Sequence, residues 1–315
     1  MLSVREMMFG TRERFTYEEC ASCKTLQLSD PPSDMGRYYP ADDYYSLHVE
    51  DPAPAQHRPR YRILMDVCRR MPSLPDRLYA AGRLPQWTRW FAGLSVSTST
   101  PILDVGSGAG TLLHVLAADG FSNVVGVDPH VKASRTFADG SRLIKGELGD
   151  VDGHFDIVMF HHSLEHVADP GAALSSAHRV LNKGGVVIVR IPVADCYAFA
   201  TYGEDWVAFD APRHLVLFTT EGFMKLAHAS GYDVNRIFYD SYGLQFWGSE
   251  LYRMDIPQYG PDPSCSRPPQ EVADATFTPL QLREFERRSL ILNRSRMGDQ
   301  AGFILRVAEG RRDQR

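Results

Sequence analysis

Three glycines at two-residue spacing, Gly106, Gly108 and Gly110, follow directly on the apolar run Pro101-Ile102-Leu103-Asp104-Val105. Glycine lets the chain turn through conformations closed to other residues and lets a ligand lie against the main chain. If the run is a buried strand and the residues after Gly110 a helix, the loop, Ser107 included, offers helix-terminal amides and the positive end of the helix dipole. Asp104, at the strand end, can order the loop or receive the ammonium of an amino-acid ligand. Asp128, with Pro129 behind it, closes the next apolar run, Val124-Val125-Gly126-Val127. A carboxylate at that strand tip can accept both hydroxyls of a ribose. Glu147 follows a weaker third run, Arg142-Leu143-Ile144, where a side chain can reach an adenine amino group. A dinucleotide would ask for GxGxxG, but Thr111 stands where its third glycine would fall.

Candidate proton acceptors form two clusters. The first is His161, His162, Glu165 and His166, after the run Asp156–Phe160. Its core, HSLEH, matches the HxxEH pattern of metal hydrolases, which needs both histidines on one helix face. Here they leave a strand, and Asp169-Pro170 opens the helix only afterwards, as an N-cap and first-turn proline. No metal ligand set is therefore expected. Glu165 and His166 should hydrogen-bond and shape the loop, leaving His162 as a substrate contact. The second cluster is Asp210-Ala211-Pro212-Arg213-His214. Histidine is the residue type that most readily exchanges a proton near neutral pH, so His214 suits a base, and Arg213 beside it suits a negative group of the substrate. The plainer alternative is that His214 only caps or packs its loop.

The elements that must position these groups alternate between apolar runs and amphipathic helices from about residue 100, the pattern of a parallel sheet with crossover helices. A helix carrying Leu112, Leu113, Leu116 and Ala117 stops at Gly120, and one carrying Ala172, Leu174, Ala177 and Val180 ends at Asn182–Gly185. The fifth strand is Val186–Ile191. Thr219 can cap a helix with Phe223, Met224, Leu226 and Ala227; residues 234–240 and 301–308 read as a sixth and a seventh strand. Between them a Pro-rich, partly helical insertion, about 243–297, is of a size that usually carries function or covers a site. The expected division is 1–57, a polar and aromatic arm; 58–98, short helices broken near Pro72, Pro75 and Pro85; and 99–315, the α/β domain.

The 315 residues suffice for one large α/β domain with a small appendage, and a net charge of −5 disfavours a nucleic-acid partner. Five cysteines, Cys20, Cys23, Cys68, Cys196 and Cys265, are too few and odd in number for a disulfide framework. No apolar stretch approaches the roughly 20 residues of a membrane helix. A cytoplasmic location is expected, and a homodimer is allowed.

The segments ILDVGSGAG, VVGVDP, FDIVMFHHSLEHVADP and LNKGGVVIVRIP resemble, in order, successive motifs of the class I S-adenosylmethionine-dependent methyltransferases, over most of residues 100–192. The resemblance implies a Rossmann-like seven-stranded sheet with the last strand antiparallel. It also implies S-adenosyl-L-methionine as cofactor, held by the glycine loop, Asp128, Glu147 and Leu148, with His161 beside the transferred methyl. W-x3-D-x-P-R-H-L-x2-F-T, from Trp206 to Thr219, resembles the bacterial sugar and small-metabolite methyltransferases. C-methylating members carry an acid and a basic histidine in this loop. Here the pair is Arg213-His214; the histidine carries over and the acid does not, which favours O- over C-methylation. MMFGTRERFTYEECASCKTLQL followed by RYYPADDYYS resembles the zinc-ribbon end of the same group, where an earlier CxxC normally precedes. Cys20 and Cys23 alone cannot close a four-ligand zinc site, so a degenerate ribbon or a misassigned chain start is expected. Tyr44 and Tyr45 fall where that group places tyrosines over the cofactor. The expected function is methyl transfer to a sugar or sugar-bearing small metabolite. The alternatives are a small aromatic or quinone-like acceptor, or a noncatalytic subunit that binds cofactor beside a partner.

Overall fold

A computed structural model describes residues 1–39, 86–259 and 268–308. Tyr44, Tyr45, Cys68, Cys265 and most of the 58–93 helical segment lie outside these residues. The chain opens with three short strands, β1 (Leu2–Arg5), β2 (Arg14–Glu19) and β3 (Leu26–Leu28), followed by a helical turn, α1 (Trp87–Trp90). Then come β4 (Ile102–Val105), α2 (Thr111–Ala118), β5 (Val124–Asp128), β6 (Arg135–Thr136), β7 (Arg142–Lys145) and β8 (Phe155–His161). Next are α3 (Pro170–Val180), β9 (Leu181–Pro192), α4 (Tyr197–Tyr202), β10 (Val216–Leu217), α5 (Thr220–Ala229) and β11 (Tyr232–Tyr239). Three helices, α6 (Leu244–Arg253), α7 (Pro269–Thr276) and α8 (Pro279–Arg294), precede β12 (Gln300–Val307).

The main sheet runs β11-β12-β9-β8-β4-β5-β7-β6. β4 lies between β5 and β8, parallel to both, and the parallel ladder continues to β7 and β9. β12 runs antiparallel to β9 and β11, as expected of the last strand. The expected seven strands are all present. The eighth is the two-residue β6, antiparallel on the β7 edge and too short to show in any hydrophobic pattern. The chain leaves β4 toward β5 on one side and returns through β8 on the other. The crevice above the C-terminal ends of β4 and β8 is thus the topological switch point, where open α/β sheets bind ligands.

Local chemistry sets the helix starts. Asp169 accepts the Ala172 amide at 2.8 Å with Pro170 in the first turn, and Thr219 accepts the Gly222 amide at 3.0 Å. β9 begins at Leu181 rather than at Val186, because Leu181 pairs with Phe155 before the register shifts to Ile157–Val186.

The N-terminal arm is not a free appendage. β1, β2 and β3 form an antiparallel sheet whose fourth strand is β10, from the loop after β9. Tyr17 and Leu26 of this sheet share one apolar core with Phe246 and Leu251 of α6 and Val272 of α7. The arm and the 243–297 insertion, read in sequence as separate additions, bury each other.

Candidate active site

The cofactor half of the site is built on β4, β5 and their loops. Gly106, Gly108 and Gly110 all hold positive φ, +73°, +54° and +102°, a region that penalises other residues. A Cβ on Gly106 would stand 2.5 Å from Ser163 Cβ, so the glycine loop lies directly against the loop after β8. Ser163 Oγ fastens that contact by donating to the Val105 carbonyl at 2.6 Å. Ser107 closes over β5, where a Cβ on Gly126 would meet its Oγ at 2.4 Å. Asp128 is buried and accepts the Gly108 amide at 2.9 Å and the His130 amide at 2.8 Å, which ties the glycine loop to the tip of β5. Pro129 is exposed behind it.

Asp104 is buried, and its Oδ1 has no hydrogen-bond partner among the described residues. Burial, with the Asp128 charge added, pushes its carboxyl well above the usual range. A cationic ammonium brought against it would satisfy the orphan oxygen and reverse that shift. Glu147 is exposed and opens a 3-10 turn over Leu148–Asp150, where its amide donates to Asp150 Oδ2 at 2.8 Å; Leu148 is buried. The cradle therefore fits a nucleoside bearing an amino acid.

The second half lies on the loop after β8. His161 packs its ring on Trp90 at 4.8 Å between centroids. His162 holds φ +53°, uncommon for a residue with a side chain. Its Nδ1 lies 3.2 Å from Glu165 Oε1, and its Nε2 accepts from Arg190 Nη1. Both ring nitrogens are occupied, and burial, then the Arg190 charge, drives its pKa well down. His162 is thus a fixed neutral contact with no free lone pair for an acceptor proton. His161 is lowered for the same two reasons.

His214 is differently placed. Its Nδ1 donates to the Ala208 carbonyl at 2.7 Å, so in the neutral ring Nε2 carries the lone pair and is bare of hydrogen bonds among the described residues. Nε2 faces Glu165 Oε1 at 3.9 Å and Asp210 Oδ2 at 3.8 Å. The Glu165 carbonyl accepts the Leu215 amide at 2.8 Å, so the loop after β8 and the 206–219 loop are stitched together beside the two side chains. His166 stacks edge-on to His214 at 4.7 Å and donates from Nδ1 to the Arg213 carbonyl at 2.9 Å. Burial, then the neighbouring His214, lowers its pKa to about 4.

Arg213 departs from expectation. Its guanidinium is fully buried, donating to Asp210 Oδ1 at 2.7 Å, to Glu6 Oε1 at 2.9 Å and to the Tyr38 carbonyl at 3.2 Å. Burial alone would raise Asp210, but the Arg213 charge outweighs it and holds that carboxyl below the usual range. With its donors committed inside the protein, Arg213 has no face for a substrate anion. It anchors the N-terminal arm to the His214 loop, helped by Tyr17, whose hydroxyl donates to the His214 carbonyl at 2.8 Å.

Sequence reasoning missed a further buried pair. Arg190, inside β9, donates from Nε to both carboxylate oxygens of Asp240 at 2.8 and 2.9 Å, and Trp90 Nε1 adds a bond to Asp240 at 2.9 Å. Through its other end Arg190 holds His162, so this pair supports the site from below. The signal was present: a lone arginine in VVIVRIP is anomalous for a buried strand. Asp299, just before β12, is another buried carboxyl at this end of the sheet, pushed up to about 6 by burial. Cys20 and Cys23 sit on the turn between β2 and β3, and both are free thiols.

A family model for a methyltransferase domain matches residues 65–237, more than half of the chain. The chain belongs to this family, and its class is that of the S-adenosylmethionine-dependent methyltransferases. The ubiquinone biosynthesis O-methyltransferase of Pseudomonas paraeruginosa (strain DSM 24068 / PA7) is 32% identical over 142 residues, covering 40% of this chain and 59% of the relative. The protein of that name from Azorhizobium caulinodans is 35% identical over 124 residues, covering 36% and 49%. The chain thus spans about half to three fifths of the length of these curated relatives. Among solved structures, mycolic acid cyclopropane synthase CmaA1, complexed with SAH and CTAB, aligns with 88% of this chain and 99% of its own at 17% identity and a TM-score of 0.45. No helix among the described residues is long and apolar enough to cross a membrane.

Proposed function

We propose that the chain transfers a methyl group from S-adenosylmethionine to a hydroxyl oxygen of a small acceptor lodged between the glycine loop and His214. The observation that carries this is the continuity of the two half-sites. Gly106 abuts Ser163, and the loop that Ser163 begins carries Glu165 to the bare Nε2 of His214. Asp128 and Asp104 take the ribose hydroxyls and the ammonium in this reading, while Glu147, Leu148 and His161 border the base and the methyl-bearing end.

The bound cofactor supplies an electrophilic methyl on a sulfonium. As the new O–C bond forms, the S–C bond breaks and the acceptor proton must leave. Holding the two reactants close and aligned is the larger contribution the protein makes. A base adds roughly 10²–10⁴-fold, and His214 is placed for it: its Nδ1 proton is fixed on a carbonyl, and once protonated at Nε2 it faces two carboxylates. His162, with both nitrogens engaged, borders the acceptor without taking its proton.

The names of the relatives favour a small aromatic, quinone-like acceptor over a sugar. The sugar reading rests on the Trp206–Thr219 motif. An assay of the purified chain with methyl-labelled S-adenosylmethionine, offering dihydroxyaromatic acids in one arm and nucleotide-linked sugars in the other, separates them. Label on a phenolic oxygen is the expected result. Label on a sugar alone would transfer the assignment to the second reading. Transfer to neither, with S-adenosylhomocysteine still bound, would support the noncatalytic subunit.

A further inference from the structure

We propose that Glu165, His166 and His214 together hold a divalent transition-metal ion of the zinc, cobalt or iron type, with a coordination position left open for the acceptor oxygen. Each offers a ligand atom, and all three atoms lie within 4.8 Å of one another. Bonds of about 2.0–2.2 Å place the ligands of a tetrahedral ion roughly 3.4 Å apart, so closing the set asks for movements of about an ångström. His214 Nε2 and Glu165 Oε1 are already at 3.9 Å.

Three independent features aim this cluster at a cation. The first is tautomeric. His166 and His214 each commit Nδ1–H to a backbone carbonyl, Arg213 and Ala208 at 2.9 and 2.7 Å, leaving both Nε2 lone pairs bare. Metal-binding histidines are oriented by a bond of this kind on the opposite ring nitrogen. The second is an orphan: Glu165 is fully buried, and its Oε2 has no partner among the described residues. An unsatisfied buried carboxylate oxygen is costly. The third is charge. Glu165, Asp210 and Glu6 converge on this region against the single guanidinium of Arg213. Two negative charges are left over in a buried setting, and a dication cancels them.

Two imidazoles and one carboxylate suit zinc, cobalt or iron better than magnesium, which prefers oxygen ligands and retained water. The spacing that resembles a metal hydrolase, His162 with His166, is not the one used. His162 gives its Nδ1 to Glu165 and its Nε2 to Arg190, and the second histidine comes from the 206–219 loop. The proposal thus departs from the sequence expectation of no metal ligands.

Ion binding stands on the cluster alone; its purpose rests on the methyl-transfer reading. A hydroxyl at the open position would lose its proton to solvent more readily, and His214 would then serve as a ligand instead of a free base.

The test uses the full chain carrying Cys20→Ser and Cys23→Ser, stripped with a chelator and titrated with Co²⁺, so that the exposed thiols cannot contribute. The expected result is one Co²⁺ per chain with visible d–d absorption and no thiolate charge-transfer band. Glu165→Gln and His166→Gln in the same background should each weaken binding by on the order of 100-fold or more, since loss of a mere supporting bond already costs 10–100-fold. Circular dichroism and S-adenosylhomocysteine affinity should stay unchanged. X-ray absorption of the Co²⁺ form, which needs no further variant, should show imidazole scattering. Absence of Co²⁺ and Zn²⁺ binding in the cysteine-free chain, or binding indifferent to Glu165→Gln, overturns the proposal. S-adenosylhomocysteine binding without metal binding would refute this inference and leave methyl transfer standing; metal binding without it would do the reverse.

Discussion

Arg213→Ala is expected to cost about 3–5 kcal/mol of folding stability, the usual penalty for removing one partner of a buried ion pair. The side chain has no solvent exposure, and its loss strands Glu6, also fully buried, together with Asp210. Glu6 accepts the Phe9 and Thr11 amides at 3.0 and 2.9 Å, so it cannot turn away to water without undoing the start of the N-terminal sheet. Arg213→Lys keeps the charge but not the two-pronged geometry and should fall in between. Urea unfolding followed by tryptophan fluorescence reads both. If Arg213→Ala were to unfold like the parent while raising the Michaelis constant for the acceptor, the arginine would face substrate after all, and the buried pairing described above would be wrong.

His214→Ala is expected to lower turnover by roughly 10²-fold or more while leaving cofactor affinity nearly intact. This follows whether its bare Nε2 takes the acceptor proton or ligates an ion, because both uses need that lone pair. His162→Ala is the comparison. Its nitrogens are engaged by Glu165 and Arg190, so its removal should loosen the loop and cost less in turnover. Turnover abolished in His162→Ala but retained in His214→Ala would place the proton acceptor on the loop after β8 instead. Stopped-assay rates at saturating cofactor, with S-adenosylhomocysteine affinity measured alongside, decide between them.

The difference between what could and could not be read from the sequence follows the range of the interactions. The glycine loop, the acid at the tip of β5 and the caps at Asp169 and Thr219 are set by residues a few positions apart, so their spacing exposes them. The parallel order is similarly visible, because β4, β5, β8 and β9 each carry an apolar run, and amphipathic helices lie between β4 and β5 and between β8 and β9. The role of Arg213 is hidden because its partner Glu6 lies at the other end of the chain, and a sequence shows the charge without showing what neutralises it. The burial of the arm against the insertion is hidden for the same reason: the two lie at opposite ends of the chain, and only together do they cover a core. The loop-shaping part of Glu165 is local, and its carbonyl bond to the Leu215 amide agrees with it. Its orphan oxygen and its approach to His214 depend on how two distant loops meet, which no local pattern encodes.

The most direct test of the central claim is calorimetric titration of the purified chain with S-adenosylhomocysteine, alongside Asp128→Ala and alongside NAD as ligand. Asp128 ties the glycine loop to the tip of β5 through its bonds to the Gly108 and His130 amides, and it is the proposed ribose contact. The parent should bind one equivalent of S-adenosylhomocysteine and no NAD. Asp128→Ala should lose about 1.5–3 kcal/mol, a weakening of roughly 10- to 150-fold, since a charge-assisted hydrogen bond is removed. Equal affinity in Asp128→Ala, or preferential binding of NAD by the parent, would contradict the assignment of this crevice to S-adenosylmethionine.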